Sequence, residues 1–147
     1  MLQCLTWVRN KPNEIKTRVT LNFNYFPFFQ IVGEVVLWEF NGQDNQFWFW
    51  DGEMLRNKKF PNKVLDFHWM DYQQNSWGKV YLHNENGGMN QKWSLTGEDE
   101  IISQHGKHQN LHLYLDVYSN ETQNGARVGC YTKTGGLNQK WILSNFL

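Results

Sequence analysis

The feature that most constrains this chain is a four-residue phrase that occurs three times: Asn45-Gln46-Phe47-Trp48, Asn90-Gln91-Lys92-Trp93 and Asn138-Gln139-Lys140-Trp141. The offsets are 45 and 48 residues, a period that belongs to a supersecondary unit repeated in space. Upstream of each phrase lies an alternating strand: Val35-Val36-Leu37-Trp38, Val80-Tyr81-Leu82-His83 and Val128-Gly129-Cys130-Tyr131. In all three copies its fourth residue precedes the Asn by seven. Further upstream come Leu65-Asp66-Phe67 and Leu115-Asp116-Val117, with Leu21-Asn22-Phe23 as the imperfect counterpart in the first copy. After each Trp a short strand runs into turn residues, Asp51-Gly52 and Thr96-Gly97-Glu98-Asp99, and then into a new strand at Met54-Leu55-Arg56 or Ile101-Ile102-Ser103. No segment sustains a period of 3.6 with caps at both ends. The expected structure is all-β, with four short strands in each of three repeats, about residues 1–50, 51–96 and 97–147 of a single domain.

Period-two alternation sorts the strand residues. Val35, Leu37, Val80, Leu82, Val128 and Cys130 face one way and read as core, whereas Trp38, His83 and Tyr131 face the other and read as surface. A Trp shared by all copies, at 48, 93 and 141, reads as a core layer whose indole N–H groups each need an acceptor.

Composition narrows the partners. Lys plus Arg and Asp plus Glu both number 14, and no long run of one sign offers the electrostatic footprint that nucleic acid or anionic membrane requires. Eight Trp in 147 residues exceed what a small core hides, so some aromatic faces are expected at the surface as recognition elements. No apolar stretch approaches a membrane span, and the first ten residues show no secretory h-region; localisation stays open, with a cytoplasmic or non-classically secreted setting favoured. Of the two cysteines, Cys130 occupies an inward slot and reads as a buried free thiol, with a Cys4–Cys130 pairing as the alternative. His105, His108 and His112 read as loop histidines, because their spacing fixes no ligand geometry, and no metal or other cofactor is called for.

An Asp, an aromatic about sixteen residues on, and Asn-Gln seven later, ahead of Gln-x-Trp and behind a Gly-Gly-x-Asn turn, resembles the ricin-B-type lectins, whose fold is the β-trefoil. The likeness is strong over residues 35–143 and weak over 1–34. It implies one shallow sugar site per repeat, with galactose or N-acetylgalactosamine as the ligand class and glycans of glycoproteins or glycolipids as partners. Carried over by position, the third site comprises Asp116, Tyr131, Asn138 and Gln139, and the second Asp66, His83, Asn90 and Gln91. The first has Trp38, Asn45 and Gln46, but Asn22 replaces the Asp, and Asn24-Tyr25-Phe26-Pro27-Phe28-Phe29 replaces a polar loop. An uncharged Asn loses the charge-assisted bond to a hydroxyl, which makes this the weaker site.

The chemistry suits a sugar. A flat ring covers the apolar C–H face, Asp accepts from neighbouring hydroxyls, the Asn amide donates, and Gln is better placed to brace the Asp or the turn. The alternative role for Asp66 and Asp116 is capping of the turn that follows their strand. A glycosidase needs two carboxylates across one bond, and no nucleophile motif or phosphate loop is present, so the chain does not read as an enzyme. The competing reading is a protein-binding trefoil, of the protease-inhibitor or actin-binding type, that works through an exposed loop at 26–31. That apolar segment also leaves a homodimer open.

Overall fold

A computed structural model of the 147-residue chain describes residues 3–7, 19–23, 33–68, 78–105 and 111–145, with side chains described over 33–68, 78–105 and 111–143. Twelve strands lie among the described residues. In chain order they are β1 (Gln3–Trp7), β2 (Val19–Phe23), β3 (Val35–Glu39), β4 (Trp48–Asp51), β5 (Met54–Asn57), β6 (Lys63–His68), β7 (Gly78–Asn84), β8 (Trp93–Leu95), β9 (Ile101–Ser103), β10 (Leu113–Val117), β11 (Val128–Thr132) and β12 (Trp141–Asn145). Each Asn-Gln pair sits in a single 3₁₀ turn just before its Trp, at Asp44–Gln46, Met89–Gln91 and Leu137–Gln139.

Six strands close into a ring. β1 pairs with β12, with Cys4 opposite Ser144, and touches β4 at Gln3 and Trp48. β4 pairs with β5 and β8 with β9 as antiparallel ladders. Two backbone bonds close the remaining gaps: Trp93 N–H donates to Glu53 O beside β5, and Trp141 N–H donates to Asp99 O ahead of β9, both at 2.7 Å. Closure of this kind removes the free sheet edges that an open six-stranded sheet would present.

The other six strands form three hairpins, β2–β3, β6–β7 and β10–β11. They meet in a triangle, β3 with β7 through Glu34 and Tyr81, β7 with β11 through Lys79 and Gly129, and β3 with β11 through Val36 and Arg127. A six-stranded barrel with a three-hairpin cap is the β-trefoil, as the resemblance implied.

The core lies inside the barrel and under the cap. Val35, Leu37, Val80, Leu82, Val128 and Cys130 are fully buried, as their period-two phase required, and each large apolar side chain of this kind contributes roughly 1.5–3 kcal/mol. Trp48, Trp93 and Trp141 form the shared core layer. The indole N–H of Trp93 donates to Leu65 O and that of Trp141 to Leu115 O, both at 2.9 Å, so each Trp ties its barrel strand to its own hairpin. Cys130 is a free, buried thiol, and burial, with Asp116 nearby, pushes its pKa well up. The side chain of Cys4 and the whole of 24–32, including Phe26–Phe29, lie outside the described residues.

Candidate functional site

The hairpin register puts the three predicted sites in equivalent places. Asn22 lies opposite Val36, Asp66 opposite Tyr81, and Asp116 opposite Gly129. Cross-strand partners share a face, and so do residues two apart on one strand. His83 and Tyr131 therefore flank the Asp of their own hairpin, on the face turned away from the core, and Trp38 takes the equivalent strand position in the first. Tyr131 is 36% exposed and Trp38 and His83 are half-buried, in keeping with their outward phase.

The third site is the most fully formed. Asp116 stands inside β10, not at its end, and is 3% exposed. Its Oδ2 accepts from Asn138 Nδ2 at 2.7 Å and from Gln139 Nε2 at 2.9 Å. The turn-capping role does not hold for Asp116, nor for Asp66 within β6, since each carboxylate binds side chains brought in from more than twenty residues away. With both donors on Oδ2, Oδ1 is the atom that remains to accept from a ligand. Burial raises the Asp116 pKa to about 6 from an ordinary 3.8, and the two amide donors only partly offset that rise.

Gln139 is fully buried. Besides Asp116, its Nε2 donates to Thr132 O at 2.9 Å, and its Oε1 accepts from Thr134 N–H at 2.9 Å. Gln91 repeats the pattern with Asp66 at 2.7 Å, Asn84 O at 2.8 Å and Asn86 N–H at 2.8 Å. Gln46 makes the two backbone bonds, to Glu39 O at 2.9 Å and from Asn41 N–H at 2.8 Å. Gln46, Gln91 and Gln139 thus make the bracing contacts expected of the Gln, and none of the three offers a free amide end as a ligand contact. All three are fully buried, with both ends of the amide engaged, and they act as braces.

A cavity of about 550 Å³ opens over the third site. Asp116, Asn138 and Tyr131 line it, as the sequence suggested, and Tyr118, Ser119, Arg127 and Thr134 complete the wall. The Arg127 guanidinium lies 3.8 Å from the Tyr118 ring centroid. Tyr118 and Ser119 escaped the sequence reading because the 3₁₀ turn Tyr118–Asn120 is entered with left-handed φ at Ser119 (+50°) and Asn120 (+55°), without a glycine to announce it. Gly129 leaves the position facing Asp116 without a side chain, which only the hairpin register reveals.

In the second site Asn90 Nδ2 donates to Asp66 Oδ2 at 2.9 Å, so Asp66, Asn90 and Gln91 come together as expected. His83 Nδ1 lies 3.0 Å from Asn84 O, which holds the ring at the edge of this group. Tyr81, facing Asp66, was missed by the sequence reading. Its ring meets His68 edge-on at 6.2 Å, whereas the equivalent position of the third hairpin is Gly129, with no side chain.

The first repeat differs in a second way beyond Asn22, whose side chain is outside the described residues. Two residues before the Asn stand Gly88 and Gly136 in the other copies, but Gln43 here. A Cβ on Gly88 would collide with Asn90 Oδ1, and one on Gly136 with Asn138 Oδ1. These glycines admit the Asn side chain in its Asp-facing position, and Gln43 brings a Cβ to the equivalent point. Asn45 is buried, and Asn57 Nδ2 donates to its carbonyl at 2.9 Å.

His105 and His112 are exposed at the surface, with the His105 ring 5.6 Å from Phe67, and His108 lies outside the described residues.

Comparison with solved structures returns the same fold. The chain is similar to the designed three-fold symmetric protein ThreeFoil (TM-score 0.76, 23% identity, 99% of each chain covered). It is also similar to the β-trefoil lectin of the Vibrio vulnificus hemolysin/cytolysin, solved with N-acetyl-D-lactosamine bound (TM-score 0.71, 18% identity, 97% of this chain and 93% of that one). A third similar structure is the C-terminal half of an earthworm R-type lectin in complex with GalNAc (TM-score 0.66, 15% identity, 97% and 96% covered). No protein-family model matches the chain, and no curated protein matches it.

Proposed function

We propose that this protein is a lectin that binds galactose- or N-acetylgalactosamine-type glycans through the Asp116 and Asp66 sites. The observation that carries the proposal is the Asp116–Asn138 pair, a carboxylate and an amide locked together at 2.7 Å beside the half-exposed ring of Tyr131 at an open cavity. Asp116 Oδ1 accepts from a sugar hydroxyl, Asn138 Nδ2 turns to its neighbour the hydrogen that otherwise makes only a long 3.4 Å bond to Val117 O, and Tyr131 takes the apolar C–H face of the ring. The similar structures with lactosamine and GalNAc bound support the ligand class.

Binding rather than catalysis is the activity. Asp116 is the one carboxylate among the residues lining the cavity, whereas hydrolysis of a glycosidic bond calls for two acting across it. An open site of this kind binds one sugar weakly, at about 4–6 kcal/mol or millimolar to high-micromolar affinity. Two sites on separate hairpins of one chain bridge branched glycans or neighbouring cells, where effective concentration raises avidity by roughly 10²–10⁴. Cross-linking is the resulting activity.

A glycan array probed with the wild-type protein and with a folded Asp66→Ala, Asp116→Ala variant tests this reading. Signal on galactose-type glycans that vanishes in the variant supports it. Retention of signal in the variant, or none from wild type, sinks it and directs attention to protein ligands of the 26–31 segment.

A further inference from the structure

We infer that the third site is built for a galactoside that carries an acidic group, with Arg127 as the residue that reads the acid. The inference rests on the reading of this cavity as a galactoside pocket and adds the class of ligand that distinguishes it from the second site.

Arg127 lines the same cavity as Asp116, and its guanidinium carbon lies over the Tyr118 ring, 3.8 Å from the centroid. The two residues are further joined by Tyr118 N–H donating to Arg127 O at 3.0 Å. A guanidinium held over a ring keeps its donor fork to a narrower range of positions, which suits the paired oxygens of a carboxylate or a sulfate ester. Glu121 lies 3.9 Å from Arg127 Nη2, the length of a loose ion pair. The other charged group on the wall is Asp116. It repels an acid from the hydroxyl-binding end, so the two charges together set which way round an acidic sugar lies. Lys133, beyond Tyr114, is committed elsewhere, to Glu98 at 2.8 Å and Glu100 at 3.1 Å.

The hairpin register supplies an independent observation. The residue paired two places beyond the Asp is Lys79 in the second hairpin and Arg127 in the third. Lys79 is placed 3.5 Å from Glu34, whose backbone bridges Tyr81, so its charge is turned to the neighbouring hairpin in the cap. In the third hairpin the cation faces the cavity instead. The same fold position thus serves to join hairpins in one place and to line a ligand site in the other.

The test uses the full chain with Asp66→Ala, so that only the third site reports. Titration calorimetry compares a neutral methyl galactoside, a galactose sulfate ester and a galactose with a linked sialic acid. At least one acidic galactoside should bind roughly tenfold more tightly than the neutral sugar, as a charge-assisted bond supplies, and high salt should shrink that ratio. A gain confined to the sulfate places the acid on the galactose itself, and a gain confined to the sialylated sugar places it on the next residue; both support the inference. The Arg127→Gln variant should bring the ratio to about one, while Arg127→Lys keeps part of it, and thermal melts confirm that each is folded. Should Arg127→Gln fail to fold, the salt dependence of the wild-type ratio decides. Equal or weaker binding of both acidic sugars, or a preference that survives Arg127→Gln, overturns the inference and leaves the galactoside reading standing. No binding of any of the three overturns both.

Discussion

Asn138 Nδ2 lies 2.7 Å from Asp116 Oδ2, although 22 residues separate them, and this contact joins the 3₁₀ turn before Trp141 to the penultimate residue of β10. It fixes the direction in which Asp116 Oδ1 points and brings the turn against the hairpin. Recognition and local architecture therefore share one bond, and substitutions can separate the two.

Asp116→Asn is the most informative single change for that separation. The replacement keeps an oxygen for Asn138 and Gln139 but removes the charge that a hydroxyl would donate to, so galactoside affinity at this site should fall about tenfold. Stability at pH 7 should not fall with it, because the raised pKa of Asp116 shows that its charge costs the folded state. A melting temperature equal to or above wild type, alongside lost binding, is the expected pair of results.

The pH dependence follows from the same group. Its folded pKa of about 6 stands above the ordinary 3.8, so the folded protein holds the proton more tightly across that window. The contribution of Asp116 to stability is therefore fully present below about 4 and is lost as pH rises through 6. Binding runs the opposite way. At pH 5 roughly a tenth of the carboxylates are ionised, and affinity at the third site should drop about fivefold from its value at pH 7.5, as read by titration calorimetry in the Asp66→Ala background.

Gly136→Ala and Gly88→Ala should each damage their own site. The added Cβ meets the Asn side chain two residues on, and relief of that overlap moves the amide away from its Asp, at a cost of about 1–3 kcal/mol. Gln43→Ala, at the equivalent place in the first repeat, should leave sugar binding unchanged. Paired melts and galactoside titrations of the three variants check the contrast.

Gln46→Ala isolates the bracing role. It removes the partners of Asn41 N–H and Glu39 O and should cost about 1–3 kcal/mol in a denaturant melt. Galactoside affinity should persist, since the first repeat lacks the Asp. Gln139→Ala should lose both stability and third-site binding, because its amide also holds Asp116.

Much of this arrangement could be read from the chain. The seven-residue interval from Trp38, His83 and Tyr131 to the following Asn reflects a fixed path from hairpin to 3₁₀ turn, and alternation placed Leu37, Leu82 and Cys130 inward and buried. What escaped depended on pairing across strands. Tyr81 and Gly129 occupy the same place in their repeats, and only the register shows that they face Asp66 and Asp116. Arg127 and Tyr118 are nine residues apart and meet through a turn whose left-handed residues, Ser119 and Asn120, carry no glycine signal. The Asp residues were readable as site members, yet their alternative as turn caps fell only when they proved to lie within β6 and β10.

The most direct test of the lectin proposal is a ¹⁵N NMR titration of the protein with N-acetylgalactosamine, which suits weak binding and reports each site separately. The account predicts saturable shifts of the backbone amides of Gly136, Asn138 and Gln139 and of Gly88, Asn90 and Gln91, with Gln43, Asn45 and Gln46 unmoved. Absence of saturable shifts, or shifts confined to residues away from both Asp-bearing hairpins, would contradict it.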